Sequence, residues 1–283
     1  MTTTKSVHTE GADIVYDHQG DGPLLLMISG GGGEAAQYAR ISAILAPHYT
    51  VVSYDRRGNS RSTGDTTIDL DMAQQARDAA AVIRAMGHDD AYVFGNSGGA
   101  NIALQLATDH PAVIRRLVAH EGPTMPLLPD ADTWLAFTDR VHTTFTAHGA
   151  AAGFKVFATG LVGFDTTPQQ ARVAAGEEMS PNTEFFMARE YLPISRYNPD
   201  LDTIRRNRVP LVTAAGSESA DAYYARTARI QAERLGCPYI DFPGNHLGFI
   251  FEAEAFAAAL RSTLDGIKPK TPSGRSTNIT NAQ

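Results

Sequence analysis

One pentapeptide constrains this chain more than any other stretch: Gly95-Asn96-Ser97-Gly98-Gly99. An apolar run, Ala91-Tyr92-Val93-Phe94, precedes it, and a helical pattern over 100–107 follows. Strand, Gly-x-Ser-x-Gly, helix is the sequence form of a nucleophile elbow, a turn so tight that the residues around the serine must be small. The following helix directs backbone N–H groups and its positive dipole end at the serine. Read alone, the same five residues are an ordinary Gly-Ser turn in a βα loop. The rest of the chain decides between the two.

The periodicity along the chain predicts an α/β fold. Residues 7–17 alternate as a hairpin does, and Leu24-Leu25-Leu26-Met27-Ile28 is a continuous apolar run, as in a strand buried on both faces of a mostly parallel sheet. Helical stretches are expected over 34–45, 71–86 and 249–264, with Met72, Ala76, Ala79, Ile83 and Met86 on one helix face. Further strands are expected at 51–54, 114–119, 209–214 and 239–242. Alternating strands and helices imply right-handed crossovers and a three-layer sandwich. Residues 123–208 break that rhythm: they lack strand signals and are rich in aromatics. They are read as an inserted helical cap between two halves of a core, 1–122 and 209–265. The polar, proline-punctuated stretch 266–283 is read as a mobile tail.

Composition narrows the function classes. The chain has 283 residues, 43% hydrophobic and 19% charged, enough for one large core with an insertion. A net charge of -7 and a pI near 5.7 argue against nucleic acid and anionic membranes as partners. No transmembrane span or signal peptide is visible, and the lone Cys237 cannot form an internal disulfide, which fits a reducing cytoplasm. A small molecule is the expected partner, and a homodimer is compatible with these features. No metal-binding motif occurs, and no cofactor is expected.

A serine hydroxyl needs a base, and the base needs an orienting acid. In folds with this elbow the chain order is Ser, acid, His, with the histidine in a loop after the last strand. His246, in Pro243-Gly244-Asn245-His246, has that place, whereas a lone loop histidine elsewhere is usually just a solvated polar residue. The acid is less obvious. The common slot after the strand that follows the insertion holds Ser219, with Glu218 and Asp221 off register. Glu121 ends the strand after the elbow helix, where open α/β sheets place site residues. A charge at the end of an apolar strand is costly unless paired. Glu121 is the first choice and Glu218 and Asp221 stay open beside it; the bland reading of Glu121 is a helix cap or an arginine partner.

The elbow, the turn Asp55-Arg56-Arg57-Gly58-Asn59-Ser60 and the Pro-Gly-Asn-His loop resemble the α/β-hydrolase superfamily over roughly residues 10–265. The His120-Glu121 ending resembles more narrowly the zearalenone lactone hydrolases and related bacterial hydrolases, in which the acid is a glutamate after this strand. The resemblance implies Ser97, Glu121 and His246 as a triad in a serine esterase or lactonase. Ser29-Gly30-Gly31-Gly32-Gly33 follows the first buried strand, and the Gly31 and Gly98 N–H groups are the expected oxyanion donors, with Gly32 competing for the first place. Trp134, Phe154, Phe157, Phe186, Met187 and Tyr191 are the expected lining of a mostly apolar substrate pocket.

Two readings compete. Gly30-Gly31-Gly32-Gly33-Glu34-Ala35 also fits a dinucleotide loop, with Asp55 as ribose acid and Arg56 or Arg57 for a 2′-phosphate, as in a NAD(P)-dependent reductase. That reading leaves the elbow and His246 without a role. A lyase or cofactor-free oxygenase on the same scaffold is the other, since a fold does not dictate its reaction.

Overall fold

The structure is a computed structural model that describes residues 1–177 and 179–266. The tail predicted at 266–283 therefore lies, from residue 267 on, outside the described residues. Among the described residues eight strands form one sheet: β1 (Thr3–Thr9), β2 (Ala12–Gln19), β3 (Leu24–Ile28), β4 (Thr50–Tyr54), β5 (Ala91–Asn96), β6 (Ile114–His120), β7 (Leu211–Gly216) and β8 (Tyr239–Phe242). Their order is β1-β2-β4-β3-β5-β6-β7-β8. The β1–β2 hairpin joins β4 antiparallel, and every pair from β4 to β8 is parallel.

The central strands are buried on both faces because both faces carry helices. Along β3, Leu24, Leu26 and Ile28 point to one core cluster, and Leu25 and Met27 to the other. The first cluster takes residues of α2 (Met72–Ala85) and α3 (Gly98–Asp109), such as Ala79, Ile83, Ile102 and Leu106. The second takes residues of α1 (Ala39–Leu45) and α12 (Ala253–Leu264), such as Ile41, Phe256 and Leu260. The Asp71 side chain caps α2 by accepting from Ala73 N and Gln74 N, which satisfies donors that a helix start leaves open.

Between β6 and β7 the described residues are helical or irregular: α4 (Ala131–His148), α5 (Ala150–Ala158), α6 (Pro168–Ala174), α7 (Thr183–Phe185), a π-helical turn (Phe186–Glu190), α8 (Tyr191–Ser195) and α9 (Leu201–Asn207). α9 packs on the sheet layer: Ile204 sits in the first core cluster, and Asn207 Nδ2 donates to the carbonyls of Ala107 and Thr108 at the end of α3. α10 (Tyr223–Leu235) joins β7 to β8, and the helix expected over 249–264 is two: α11 (Gly248–Phe251) and α12, separated at Glu252 by φ -123, ψ 42.

The close approach of α3 to the sheet fixes the elbow. A Cβ on Gly99 would lie 2.0 Å from the Ile28 carbonyl oxygen, and one on Gly95 would lie 2.3 Å from the Gly99 carbonyl oxygen. Gly99→Ala is expected to destabilise the fold by about 3 kcal/mol, at the upper end of overpacking costs. Gly87→Ala, at φ +79 with open space around it, should cost only the backbone strain of about 1 kcal/mol. Chemical denaturation of both variants measures the difference; equal losses would remove the steric argument.

The second core also contains an imidazole. His120 ends β6, has no exposed surface, and packs against Phe94, Phe242 and Phe256. Its Nδ1 lies 2.6 Å from Asn96 Oδ1 on the paired end of β5. Burial pushes its pKa down from 6.5 to about 4. Between those values the unfolded chain binds more protons than the folded one, so stability rises with pH across the window and is lost as pH falls from 6.5 to 4. The loss from this one group is on the order of 3 kcal/mol. Melting curves between pH 7 and pH 4 should therefore be steeper in pH for the wild type than for His120→Gln; identical slopes would show that His120 is not the source.

Candidate active site

Ser97 sits at the point where β5 turns into α3, with φ 57 and ψ -127. A non-glycine residue holds such a backbone only when its surroundings over-determine it. Here the Ser97 N–H donates to the His120 carbonyl at 2.9 Å, and its own carbonyl accepts the first α3 bonds from Ala100 N and Asn101 N. Glu121, one residue beyond β6, is also left-handed at φ 53, with its N–H on the Ala214 carbonyl of β7. Two adjacent strand ends thus each present one polar side chain on a backbone conformation pinned by the next strand.

The Glu121 carboxylate has no exposed surface. Its Oε2 lies 2.6 Å from His246 Nδ1, and its Oε1 accepts from the Gly216 N–H at 2.8 Å. Burial opposes ionisation, but the neighbouring imidazoles of His120 and His246 and the hydrogen bond to His246 outweigh it and hold the carboxyl below its ordinary range. The Tyr224 ring backs the His246 ring at 4.4 Å between centroids. Within the histidine loop, Asn245 Oδ1 accepts from Leu247 N and Asn245 Nδ2 donates to the Gly163 carbonyl.

The other two acids point elsewhere. Asp221 is exposed and 3.3 Å from Arg229. The Glu218 pKa is raised, first by burial and then by the charges of Glu252 and Asp165.

The glycine loop after β3 is shaped mainly by side chains outside it. Gly33 N closes a turn on the Gly30 carbonyl. Gln37 Nε2 donates to the Gly31 carbonyl, and Asn182 Nδ2 to the Gly32 carbonyl. Arg56, wholly buried, forks onto Glu190 with Nη1 to Oε1 at 2.6 Å and Nη2 to Oε2 at 2.7 Å, and Nη2 also donates to the Gly30 carbonyl at 2.9 Å. Asn59 Nδ2 adds a bond to Glu190 Oε1. Sequence reasoning missed this buried pair; only the charge of Arg56 in an otherwise tight turn signals it. The groups assigned to a dinucleotide reading are all committed here. Asp55 accepts from the Ala35 N–H and from Arg61, Arg56 faces Glu190, and Arg57 faces Asp78.

Above Ser97 and His246 lies a cavity of about 410 Å³. Gly30, Gly31, Gly32 and Asn96 form its floor with the serine and histidine, and Gly98 follows directly in the chain. Phe154, Phe157, Phe186 and Tyr191, four of the six expected lining residues, are on its wall, as are Phe164, Ile194, Tyr223 and Tyr224. Trp134 and Met187 are not among the lining residues. Trp134 stacks on Tyr223 at 4.6 Å and donates Nε1–H to Asp130, and Met187 is buried in the packing of α4 against the π-helical turn. Among the described lining residues there is no lysine or arginine, and Glu34 is the one carboxylate.

No helix among the described residues is long and apolar enough to cross a membrane, and no group of three or more His, Cys, Asp or Glu among them is placed to hold a metal ion.

The family model for the alpha/beta hydrolase fold matches residues 23–208. The chain is 29% identical over 271 residues to the uncharacterized hydrolase YraK of Bacillus subtilis, covering 94% of this chain and 97% of that one. Among solved structures, it superposes on Est816, described as an N-acyl homoserine lactone degrading enzyme, with a TM-score of 0.73, 19% identity, and coverage of 91% and 99%. It superposes on the enol-lactonase of Burkholderia xenovorans LB400 with a TM-score of 0.71, 17% identity, and coverage of 92% and 100%. At those identities the two structures speak for the fold alone. The matched family model covers most of the chain, and with the sheet order and the helices on both faces it makes this protein a member of the alpha/beta hydrolase fold family.

Proposed function

We propose that this chain is a serine hydrolase that cleaves a carboxylic ester or lactone of a mostly apolar small molecule through an acyl-enzyme. The observation that carries the reading is the 2.6 Å contact of His246 Nδ1 with the buried Glu121, in the cavity whose floor holds Ser97. Glu121 accepts the Nδ1 proton, so the other ring nitrogen, Nε2, is the one free to act as base. Ser97 Oγ attacks the carbonyl carbon as Nε2 takes its proton. The charge that builds on the carbonyl oxygen falls to the N–H groups of Gly31 and Gly98. The imidazolium then protonates the leaving alkoxide, and a water repeats the sequence on the acyl-enzyme. For a lactone, the leaving alcohol stays tethered to the acyl group through the opened ring, and hydrolysis of the acyl-enzyme releases both as one hydroxy acid. The segment over the cavity acts as a cap that excludes water and sets the substrate.

Ser97→Ala should lower kcat by roughly 10³-fold or more, because members of such a triad act as a unit. Glu121→Gln should cost on the order of 10⁴ in kcat with the fold retained, whereas Asp221→Asn and Glu218→Gln keep most of the activity. Steady-state hydrolysis of p-nitrophenyl esters measures all four. Turnover that survives Ser97→Ala near the wild-type rate removes the mechanism; turnover that survives Glu121→Gln but not Asp221→Asn reassigns the acid.

The wall chemistry sets the substrate preference. Aromatic and aliphatic groups line most of the cavity, and none of its described lining residues is a cation that could receive a carboxylate. Across a series of esters, kcat/KM should rise with acyl length beyond acetate and fall by about tenfold or more when the acyl chain ends in a carboxylate, whose desolvation nothing here compensates. A preference for acetate or for dicarboxylate half-esters would contradict it. The lactone-cleaving enzymes among the neighbours in fold make lactones the first natural class to screen.

A further inference from the structure

We propose that Arg56 is a positioning residue for the oxyanion donor, and that Glu190 holds it in that role. The inference rests on the serine hydrolase reading and on Gly31 as one of the donors. The Gly30 carbonyl and the Gly31 N–H belong to a single peptide unit. That unit is trans, as is every described peptide bond, so its C=O and N–H point in opposite directions in one plane. Fixing the oxygen therefore aims the hydrogen. Arg56 Nη2 fixes the oxygen at 2.9 Å, assisted by the Gly33 N–H at 3.2 Å. The peptide sits against the nucleophile: a Cβ on Gly30 would lie 2.7 Å from Ser97 Cβ. A cation on the carbonyl also polarises the amide and makes its N–H a stronger donor.

The loop itself cannot supply this order. Four consecutive glycines have no side chains to pack and the widest backbone freedom of any residue. The clamp comes from elsewhere, and its parts are spent on it. Both Arg56 terminal nitrogens are engaged by Glu190 and Gly30, while Nε has no hydrogen-bond partner among the described residues. A buried ion pair is a poor way to gain stability compared with apolar packing of the same volume. Its geometric precision is what apolar packing lacks. The Glu190 end of the π-helical turn holds Arg56. At the other end, the Phe186 ring stands 3.0 Å from where a Gly31 Cβ would be, and it lines the cavity. The turn thus bears on this peptide from two ends, through Arg56 at one and beside Gly31 at the other, so that the seating of the cavity wall and the aim of the donor are one mechanical arrangement.

The test uses Arg56→Lys and Glu190→Gln in the full chain, with p-nitrophenyl ester kinetics and inhibition by phenylboronic acid, whose tetrahedral serine adduct places an oxygen in the donor site. A misaimed donor should lower kcat by about 10- to 100-fold, somewhat less than deletion of a donor. KM should stay within about threefold, because substrate does not yet carry the charge. The boronate inhibition constant should rise in parallel with the fall in kcat/KM. Lysine keeps the charge but cannot fork onto Glu190 and reach Gly30 together, so charge alone should not rescue. A variant with a lowered melting temperature but unchanged kcat would overturn the proposal and leave Arg56 structural. A fall in kcat with unchanged boronate affinity would overturn it as well. If Arg56→Lys does not fold, Glu190→Gln, which keeps the side-chain shape, decides by the same criteria. Ser97→Ala in the same assay separates the two claims: surviving turnover there defeats the hydrolase reading itself, whereas its loss there beside unaffected Arg56 and Glu190 variants defeats this inference alone.

Discussion

A carboxylate with no exposed surface is the constraint around which the site end of this sheet is arranged. Desolvating a charge is expensive by several kcal/mol, and the expense is offset only by close partners of good geometry. Glu121 finds one partner on β7, the Gly216 N–H, and another in the loop after β8, His246. Those two bonds cross from β6 to β7 and onward to the next loop, so the charge locks together three elements that the parallel register already places side by side. Removing the imidazole would leave the charge buried and half-satisfied, at a cost of about 3–5 kcal/mol. The same interaction that costs the fold its solvation gives the histidine its tautomer.

Strain follows the same line. Ser97 and Glu121 are two of the six described non-glycine residues at positive φ, and they stand at the ends of neighbouring strands. Each is held by a backbone bond to the strand next in the sheet, Ser97 to His120 and Glu121 to Ala214. The His120–Asn96 side-chain contact ties the two strand ends together just below. An imidazole in that apolar setting is kept neutral, so it contributes a directional hydrogen bond without adding a second charge beside Glu121. Strain at the two polar side chains is thus met by order in the layer beneath them.

What could be read in advance was whatever leaves a one-dimensional trace. The buried strands read as continuous apolar runs because helices cover both faces, and the elbow read because close approach of α3 permits only small residues at Gly95 and Gly99. Glu121 stood out as a charge closing an apolar strand. α10 left no such trace: beyond Tyr223 and Tyr224 in its first turn, its buried residues are Ala225, Thr227, Ala228, Gln231 and Ala232, small or polar side chains without the large aliphatics that mark an apolar stripe. The break at Glu252 has no glycine or proline to announce it. Trp134 and Met187 failed as lining candidates because an aromatic-rich helical segment must first fill its own interior, and composition cannot say which rings turn outward. The Arg56–Glu190 pair joins residues 134 positions apart, a contact that no local pattern can express.

The segment between β6 and β7 meets the core mostly at the loops that close the carboxyl ends of the strands. Its polar tethers include Asn101 Nδ2 to the Ile194 carbonyl, Leu70 N to the Arg189 carbonyl, Asn182 to Gly32, Glu190 to Arg56, Gly163 to Asn245 and the Val162 N–H to Tyr224 Oη. Each of these anchors on the core side lies in the elbow helix, the glycine loop or its supporting turn, the approach to α2, the histidine loop or the helix behind it. The cavity wall between these tethers is apolar and makes few directional bonds. Directional contacts therefore fix where the wall stands, and non-directional contacts fill what it encloses. Substitutions among the wall aromatics can reshape the enclosed volume without loosening the tethers, whereas a change at a tether shifts the wall and the reacting groups together. The segregation of the two kinds of contact separates the shape of the enclosed volume from the placement of Ser97, Glu121 and His246.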